Sequence, residues 1–256
     1  MKLSFIQECF KMQKAKFLAT FTNRFGLLGG ENFNANLAVN GVSSGVFANF
    51  NLALHTGDCQ NALEKNESIL KREIGARMLV FMEQIHSDKI YELKSPSDLR
   101  QKTKISYEIK TPCDAIITSL KGVGICVMVA DCAPVILLDI KQAKIAVIHA
   151  GRAGVCAKII SKCLNAMQSQ PQDLKLLIGA HIKGACYEVG GLDLGDFNRY
   201  KNKGCFDITQ ALKDEINALG IKNYEISDIC THCDDNFYSY RRDKICGRQV
   251  GVAMIL

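Results

Sequence analysis

Apolar and polar positions follow two rhythms along this chain, and their alternation predicts strands and helices in turn. Met78-Leu79-Val80-Phe81-Met82 reads as a buried strand, and residues 114–118, 123–130, 134–139, 144–149 and 174–178 give further apolar strand runs. Between Asn61 and Ala76, the positions Leu63, Leu70 and Ile74 share one helical face. Val155, Ile159, Ile160, Cys163, Leu164 and Met167 predict one amphipathic helix. Asp207-Ile208-Thr209-Gln210 resembles a capping box; the helix it opens turns Ile208, Leu212, Ile216 and Leu219 inward and ends at Gly220. Residues 17–58 are rich in Gly and Asn, with turn signals at Gly29-Gly30 and Asn40-Gly41. Residues 94–112 are polar, carry Pro96 and Pro112, and predict a long loop that could serve as a lid. No repeat, linker or low-complexity tract interrupts this text, so the expectation is one layered, mixed α/β domain over residues 1–256.

Composition narrows the class. At 256 residues, 48% hydrophobic and 23% charged, the chain can bury a large core. No run reaches the ~18 apolar residues that a membrane span requires, and Lys2, Glu8, Lys11, Lys14 and Lys16 break any signal-like core, which predicts a cytoplasmic protein with no membrane partner. The net charge of +6 is spread with acidic residues interleaved, which gives little support to nucleic acid as a partner and suits an anionic small molecule equally well. Twelve cysteines scattered through apolar runs of a long chain read mostly as small buried thiols, not as a disulfide framework.

The chemistry-bearing residues stand where the apolar runs stop. One run ends in Ala130-Asp131-Cys132-Ala133-Pro134 and another in His149-Ala150-Gly151. With His86, these residues offer two imidazoles and a thiolate to a metal and leave a fourth tetrahedral position open, the pattern of a catalytic site. The same residues also fit a Cys132 nucleophile activated by histidine, with Asp131 or Asp114 orienting the imidazole, or a buried thiol beside two hydrogen-bonded histidines. Cys230-Thr231-His232-Cys233 contains a Cys-x-x-Cys pair, but no second pair at finger spacing completes it, so a redox dithiol or structural cysteines are the readings left. Gly29-Gly30 and Gly190-Gly191 match neither a Walker loop nor a dinucleotide fingerprint. Phe237-Tyr238-Ser239-Tyr240-Arg241-Arg242 with Gly247-Arg248 places guanidiniums beside aromatic rings, suited to a phosphate or carboxylate and a stacked base, or equally to a solvated strand.

Gln84-Ile85-His86, Asp114-Ala115-Ile116-Ile117-Thr118, Ala130-Asp131-Cys132-Ala133-Pro134, His149-Ala150-Gly151, Cys186-Tyr187-Glu188-Val189-Gly190, Cys230-Thr231 and Tyr238-Ser239-Tyr240-Arg241-Arg242 with Gly247-Arg248-Gln249 occur in that order. From about Phe21 onward the chain resembles the YfiH family, the laccase-domain or multicopper-polyphenol-oxidoreductase-like proteins later described as purine nucleoside phosphorylases. The resemblance implies a fold of paired mixed sheets flanked by helices (α/β/β/α) and metal ligands at His86, Cys132 and His149, with zinc first and copper also suited to the set. It further implies phosphorolysis of adenosine, inosine and methylthioadenosine, and deamination of adenosine. Zinc acidifies water to a pKa of ~7, which accounts for deamination better than for phosphorolysis. Phosphate calls for cations, and Arg24, Asn51, Arg241, Arg242 and Arg248 are the candidate substrate contacts, with Asp131 and Asp114 as bracing or proton-transfer residues.

The chain also departs from the family pattern. An insertion over residues 25–39 separates Thr22-Asn23-Arg24 from Gly41-Val42-Ser43, Arg152 stands where the family has Trp, and Ala180-His181 replaces a Pro-containing turn. Two rival activities are a copper polyphenol oxidase, poorly served by five histidines without His-x-His pairs, and an editing hydrolase of peptidoglycan precursors.

Overall fold

The computed structural model of the protein describes residues 17–29 and 35–256, so the lysine-interrupted N-terminus and Gly30 of the expected Gly29-Gly30 turn lie outside the described residues. The chain begins with β1 (Phe17–Thr22), β2 (Gly26–Gly29), β3 (Ala35–Ala38), α1 (Gln60–Ile74) and β4 (Met78–Phe81). It continues through β5 (Ile90–Leu93), β6 (Leu99–Gln101), β7 (Ser106–Ile109), β8 (Ala115–Thr118), β9 (Val123–Val129), β10 (Ala133–Asp139) and β11 (Lys144–Ala150). Then come α2 (Arg152–Cys156), α3 (Ile159–Met167), β12 (Leu174–Ile178), β13 (Lys201–Asn202), β14 (Cys205–Phe206) and α4 (Ile208–Ala218). β15 (Tyr224–Ile226), α5 (Tyr240–Asp243) and β16 (Gln249–Ile255) complete the described chain.

Among the described residues the strands form an eight-stranded sheet ordered β3-β2-β1-β16-β9-β4-β7-β6 and a six-stranded sheet ordered β15-β12-β10-β11-β8-β5. Both are mixed: β4 runs parallel to β9 and β7, and β12 to β15, whereas β9 with β16 and β10 with β11 are antiparallel. Strands β9, β10 and β16 are buried along their whole length because both faces are covered, which is why they read as continuous apolar runs. Their alternation shows the layers. Ile125, Val127 and Val129 of β9 meet Ile136 and Leu138 of β10 and Ile145 and Val147 of β11 in the core between the sheets. Val135, Leu137, Ala146 and Ile148 face the other way, toward α2, α3 and α4, and Cys126 and Met128 pack under Leu70 and Ile74 of α1. The result is the expected α/β/β/α sandwich of helices and mixed sheets.

Two expectations change. The helix expected from Val155 to Met167 is broken at Lys158, whose left-handed backbone (φ 56) separates α2 from α3. Val155, Ile159 and Ile160 nevertheless enter one core, as the shared face predicted, and the backbone departs from the helix only at Lys158. Residues 94–112 are not a free lid, because β6 and β7 lie within them and β7 pairs in parallel with β4. Both strands are partly polar and β6 is at the sheet edge, so the alternation was weak, and Pro96 opens a short capped 3-10 turn instead of a long loop. At the α4 start, the Asp207 carboxylate accepts from the Gln210 amide, and the left-handed Gly220 (φ 75) follows the helix as anticipated. No helix among the described residues is long and apolar enough to cross a membrane.

Candidate metal centre

Three chain segments converge at one rim of the layer between the sheets. Cys132 immediately precedes β10, and His149 is next to last in β11, where it pairs with Pro134 across the ladder. Both share the side of their strands that faces the intersheet core. His86 comes from the segment beyond β4, and here the Gln84 side chain extends the sheet: its amide donates to Met128 O at 2.7 Å and accepts from Met128 N at 2.8 Å. The next residues turn through a left-handed backbone at His86 (φ 58), an uncommon conformation for a side-chain-bearing residue, and this turn swings the imidazole over the rim.

Asp114 holds that turn in place. Its fully buried carboxylate accepts from the amides of Ile85 (3.3 Å), His86 (3.0 Å) and Ser87 (2.6 Å), from the Ser87 hydroxyl (2.7 Å) and from His149 Nδ1 at 2.8 Å. Burial alone would raise the Asp114 carboxyl, but the donors from His149 and Ser87 outweigh it and hold the group below its ordinary range. With Nδ1 committed to Asp114, the other ring nitrogen of His149 is left to face the thiol. The donor atoms of His86, Cys132 and His149 lie within 4.8 Å of one another, and the two imidazoles meet edge to face with centroids 4.7 Å apart.

The electrostatics of this trio suit a cation. Burial pushes the Cys132 thiol up, yet the imidazoles of His149 and His86 bring it down to about 6. Burial likewise disfavours charge on His149, but the Cys132 thiolate and Asp114 raise it to about 9. The pocket therefore stabilises positive charge between a thiolate and two ring nitrogens, and one sulfur and two nitrogen donors fit zinc or copper. Gly151 is also part of the construction. A Cβ built on it would stand 3.1 Å from Cys132 Sγ and 3.4 Å from the His86 ring, so the glycine of His149-Ala150-Gly151 leaves room for the ligands.

The centre opens into a cavity of about 1050 Å³, lined among others by Asp131, Arg152, Tyr187, Tyr240, Arg241 and Arg248. Arg241 is pinned on its backbone side, where its amide donates to Asp131 Oδ2 at 2.6 Å, while its guanidinium reaches Glu188 O and lies 5.7 Å from the Tyr187 ring centre. The Arg248 guanidinium lies 5.9 Å from the Tyr240 ring centre. His55, also on the cavity wall, is held below its ordinary value by burial and then by Arg248 and Lys102, a sign of the positive potential there.

The remaining candidates sit away from the lining. Arg242 donates to the carbonyls of Thr231, His232 and Phe237 and pairs with Asp243. Arg24 pairs with Asp243 at 3.4 Å and covers the Tyr238 ring. Asn51 is fully buried, and its Oδ1 accepts from the Arg248 amide at 2.8 Å, so it braces the cavity arginine instead of facing the cavity. Asp114 also lies behind the wall, whereas Asp131 (φ 93) lines it and accepts from Thr231 Oγ1 at 2.7 Å. Gln84, Tyr187 and Lys102 also line the cavity; Gln84 and Tyr187 lie in the Gln84-Ile85-His86 and Cys186-Tyr187-Glu188 motifs, whereas no local pattern marks Lys102.

The profile of the family described as multi-copper polyphenol oxidoreductase laccase matches residues 36–256. The chain belongs to this family, the YfiH family. Among curated YfiH relatives, it is 33% identical to a purine nucleoside phosphorylase of Corynebacterium glutamicum over 84% of this chain and 90% of the relative. It is 27% identical to the purine nucleoside phosphorylase YfiH of Escherichia coli over 85% of this chain and 91% of that one. The YfiH fold is shared with the crystal structure of YlmD from Geobacillus stearothermophilus, at a TM-score of 0.77 and 23% identity, covering 93% of this chain and 92% of that one. A Neisseria meningitidis protein of the same structural class aligns with a TM-score of 0.74 at 23% identity over 95% of each chain.

Proposed function

We propose that this YfiH-family chain is a cytoplasmic, zinc-dependent purine nucleoside phosphorylase whose residues 1–256 form one catalytic domain. Its substrates in this reading are adenosine, inosine and methylthioadenosine with phosphate, and it also deaminates adenosine. The observation that carries the reading is a three-donor centre opening into a cavity that offers both aromatic faces and guanidiniums. The names of the relatives agree with it. The volume of about 1050 Å³ accommodates a nucleoside with phosphate, at the upper end of the ~300–1000 Å³ usual for small-molecule sites.

His86, Cys132 and His149 would hold the metal, which when bound supplies Lewis-acid polarisation. The chain's own groups perform the rest. Tyr187 and Tyr240 offer faces for a purine, and Arg241 and Arg248 offer planar donors for phosphate. Asp131 positions Arg241 through its backbone amide, and Asp114 holds the proton on His149 Nδ1, so the proton released on metal binding would come from the facing nitrogen, which would then donate its lone pair. The deciding experiment follows adenosine turnover chromatographically in metal-analysed protein, with and without phosphate. Adenine with ribose 1-phosphate, or inosine, formed in proportion to zinc supports the proposal. A fully zinc-loaded protein that converts no purine nucleoside overturns it.

A further inference from the structure

A second sulfur–imidazole cluster lies outside the cavity lining. Cys186 ends the 3-10 turn Gly184–Cys186, and its Sγ lies 3.4 Å from Cys233 Sγ. Cys233 Sγ is in turn 3.9 Å from His232 Nδ1, and the three donor atoms fall within 4.8 Å of one another. Cys230 lies on the same turn, outside that group of three, with its Sγ accepting from the Lys183 amide at 3.4 Å. We propose that Cys186, His232 and Cys233, closed by Cys230 of the same turn when the metal binds, form a second, structural zinc site distinct from the His86, Cys132 and His149 centre.

The local backbone has the form of a metal knuckle. The amides of Cys233 (3.1 Å) and Asp234 (3.0 Å) both donate to Cys230 O and fold residues 230–234 into a tight turn. Cys230 Sγ accepts from the Lys183 amide at 3.4 Å, a backbone donor that suits a thiolate. In a tetrahedron with Zn–S bonds of ~2.3 Å and a Zn–N bond of ~2.0–2.1 Å, donors stand roughly 3.5–3.8 Å apart. The observed separations of 3.4 and 3.9 Å bracket that range. A Cys186–Cys233 disulfide would use two of these groups and leave Cys230 and His232 without a role. A metal uses all four, and a closed set of four protein ligands is the structural kind.

The site would tie two walls of the cavity together. Cys186 immediately precedes Tyr187, and within the knuckle Thr231 donates to Asp131, beside Cys132. Arg242 spans the same turn through the carbonyls of Thr231 and His232. The proposal goes beyond the purine reading and is independent of it, because its test reads metal and thiols, not turnover.

The test substitutes cobalt(II) for zinc in full-length Cys132→Ala protein, which has lost the only thiolate of the first centre. Thiolate-to-cobalt charge transfer at one equivalent of metal, lost in Cys132→Ala/Cys186→Ala protein, is the expected result. Absence of that band in the single variant overturns the proposal. The wild-type protein provides a check that requires no folded variant. With zinc bound, Cys186, Cys230 and Cys233 are expected to resist alkylation while the exposed Cys59 reacts, and to react after chelation. Rapid alkylation of the solvent-exposed Cys233 in zinc-loaded protein, or a Cys186–Cys233 disulfide found by peptide mass, sinks it.

Discussion

The two sulfur–imidazole clusters are linked through Asp131 and Thr231, yet they are built in different ways. The donors of the first come from two strand ends and a left-handed turn, are braced by one buried carboxylate, and face a cavity. Those of the second come from a 3-10 turn and a Cys-x-x-Cys turn folded by the Cys233 and Asp234 amides donating to Cys230 O, with no carboxylate bracing them among the described residues. Similar ligand chemistry is thus put to opposite uses: three donors with an open side can act on a substrate, and four donors that close on themselves can only hold structure. The buried Asp114 also belongs only to the first cluster. Precise orientation of a ring matters where chemistry is done and matters less in a staple.

The sharpest way to break the comparison is Cys132→Ala. It should lower purine turnover by at least about a hundredfold, beyond the 10–100-fold usual for outer-shell partners, while metal remains at the second cluster. Metal analysis beside chromatographic rates reads both, and unchanged turnover would mean that the centre is not the site of chemistry. Asp114→Asn keeps the shape but cannot accept from five donors, and it should weaken metal at the first centre by about 10–100-fold in chelator competition. Equal weakening at both clusters would show a general loss of fold instead.

The two adjacent arginines separate binding from bracing. Arg241→Ala should raise the phosphate KM about tenfold, the worth of one charge-assisted bond. Arg242→Ala should leave the phosphate dependence in place and lower unfolding stability by about 1–3 kcal/mol, because three carbonyls lose their donor. Unchanged phosphate kinetics in Arg241→Ala would remove that residue from the site. The mildest perturbation is Gly151→Ala. A Cβ 3.1 Å from Cys132 Sγ must displace the sulfur by a few tenths of an ångström, so a loss of metal affinity by a few-fold, seen by competition, is expected only at the first centre.

The convergence of the first cluster was partly legible in the chain because its candidate donors punctuate strands. The apolar runs of β9 and β11 stop close to Cys132 and His149, β10 starts just after Cys132, and strand periodicity turns both residues toward one face. The second cluster was not legible, since Cys186 lies 44 residues from Cys230 along the chain and no spacing rule joins them. The candidate arginines show the same boundary. Tyr238-Ser239-Tyr240-Arg241-Arg242 reads as one motif, but Tyr238 is buried and bonded to Phe47 O and Ala48 O, Ser239 caps α5, and Tyr240 and Arg241 line the cavity. The strands within residues 94–112 were likewise invisible, because they answer to packing elsewhere in the fold.

What the sequence by itself determined was therefore periodic and local: the order of strands and helices, the layered α/β class, and the Cys and His residues placed where strands end. Tertiary structure alone decided which polar groups meet. It committed Asp114 to His149, turned Arg24, Arg242 and Asn51 into braces, left Arg241 and Arg248 to the cavity, and gathered Cys186 with the Cys230–Cys233 turn. The physical reason is range. Burial periodicity is a property of neighbouring residues, whereas a hydrogen-bonded or ligating partner is fixed by sheet register and the paths of loops tens of residues apart.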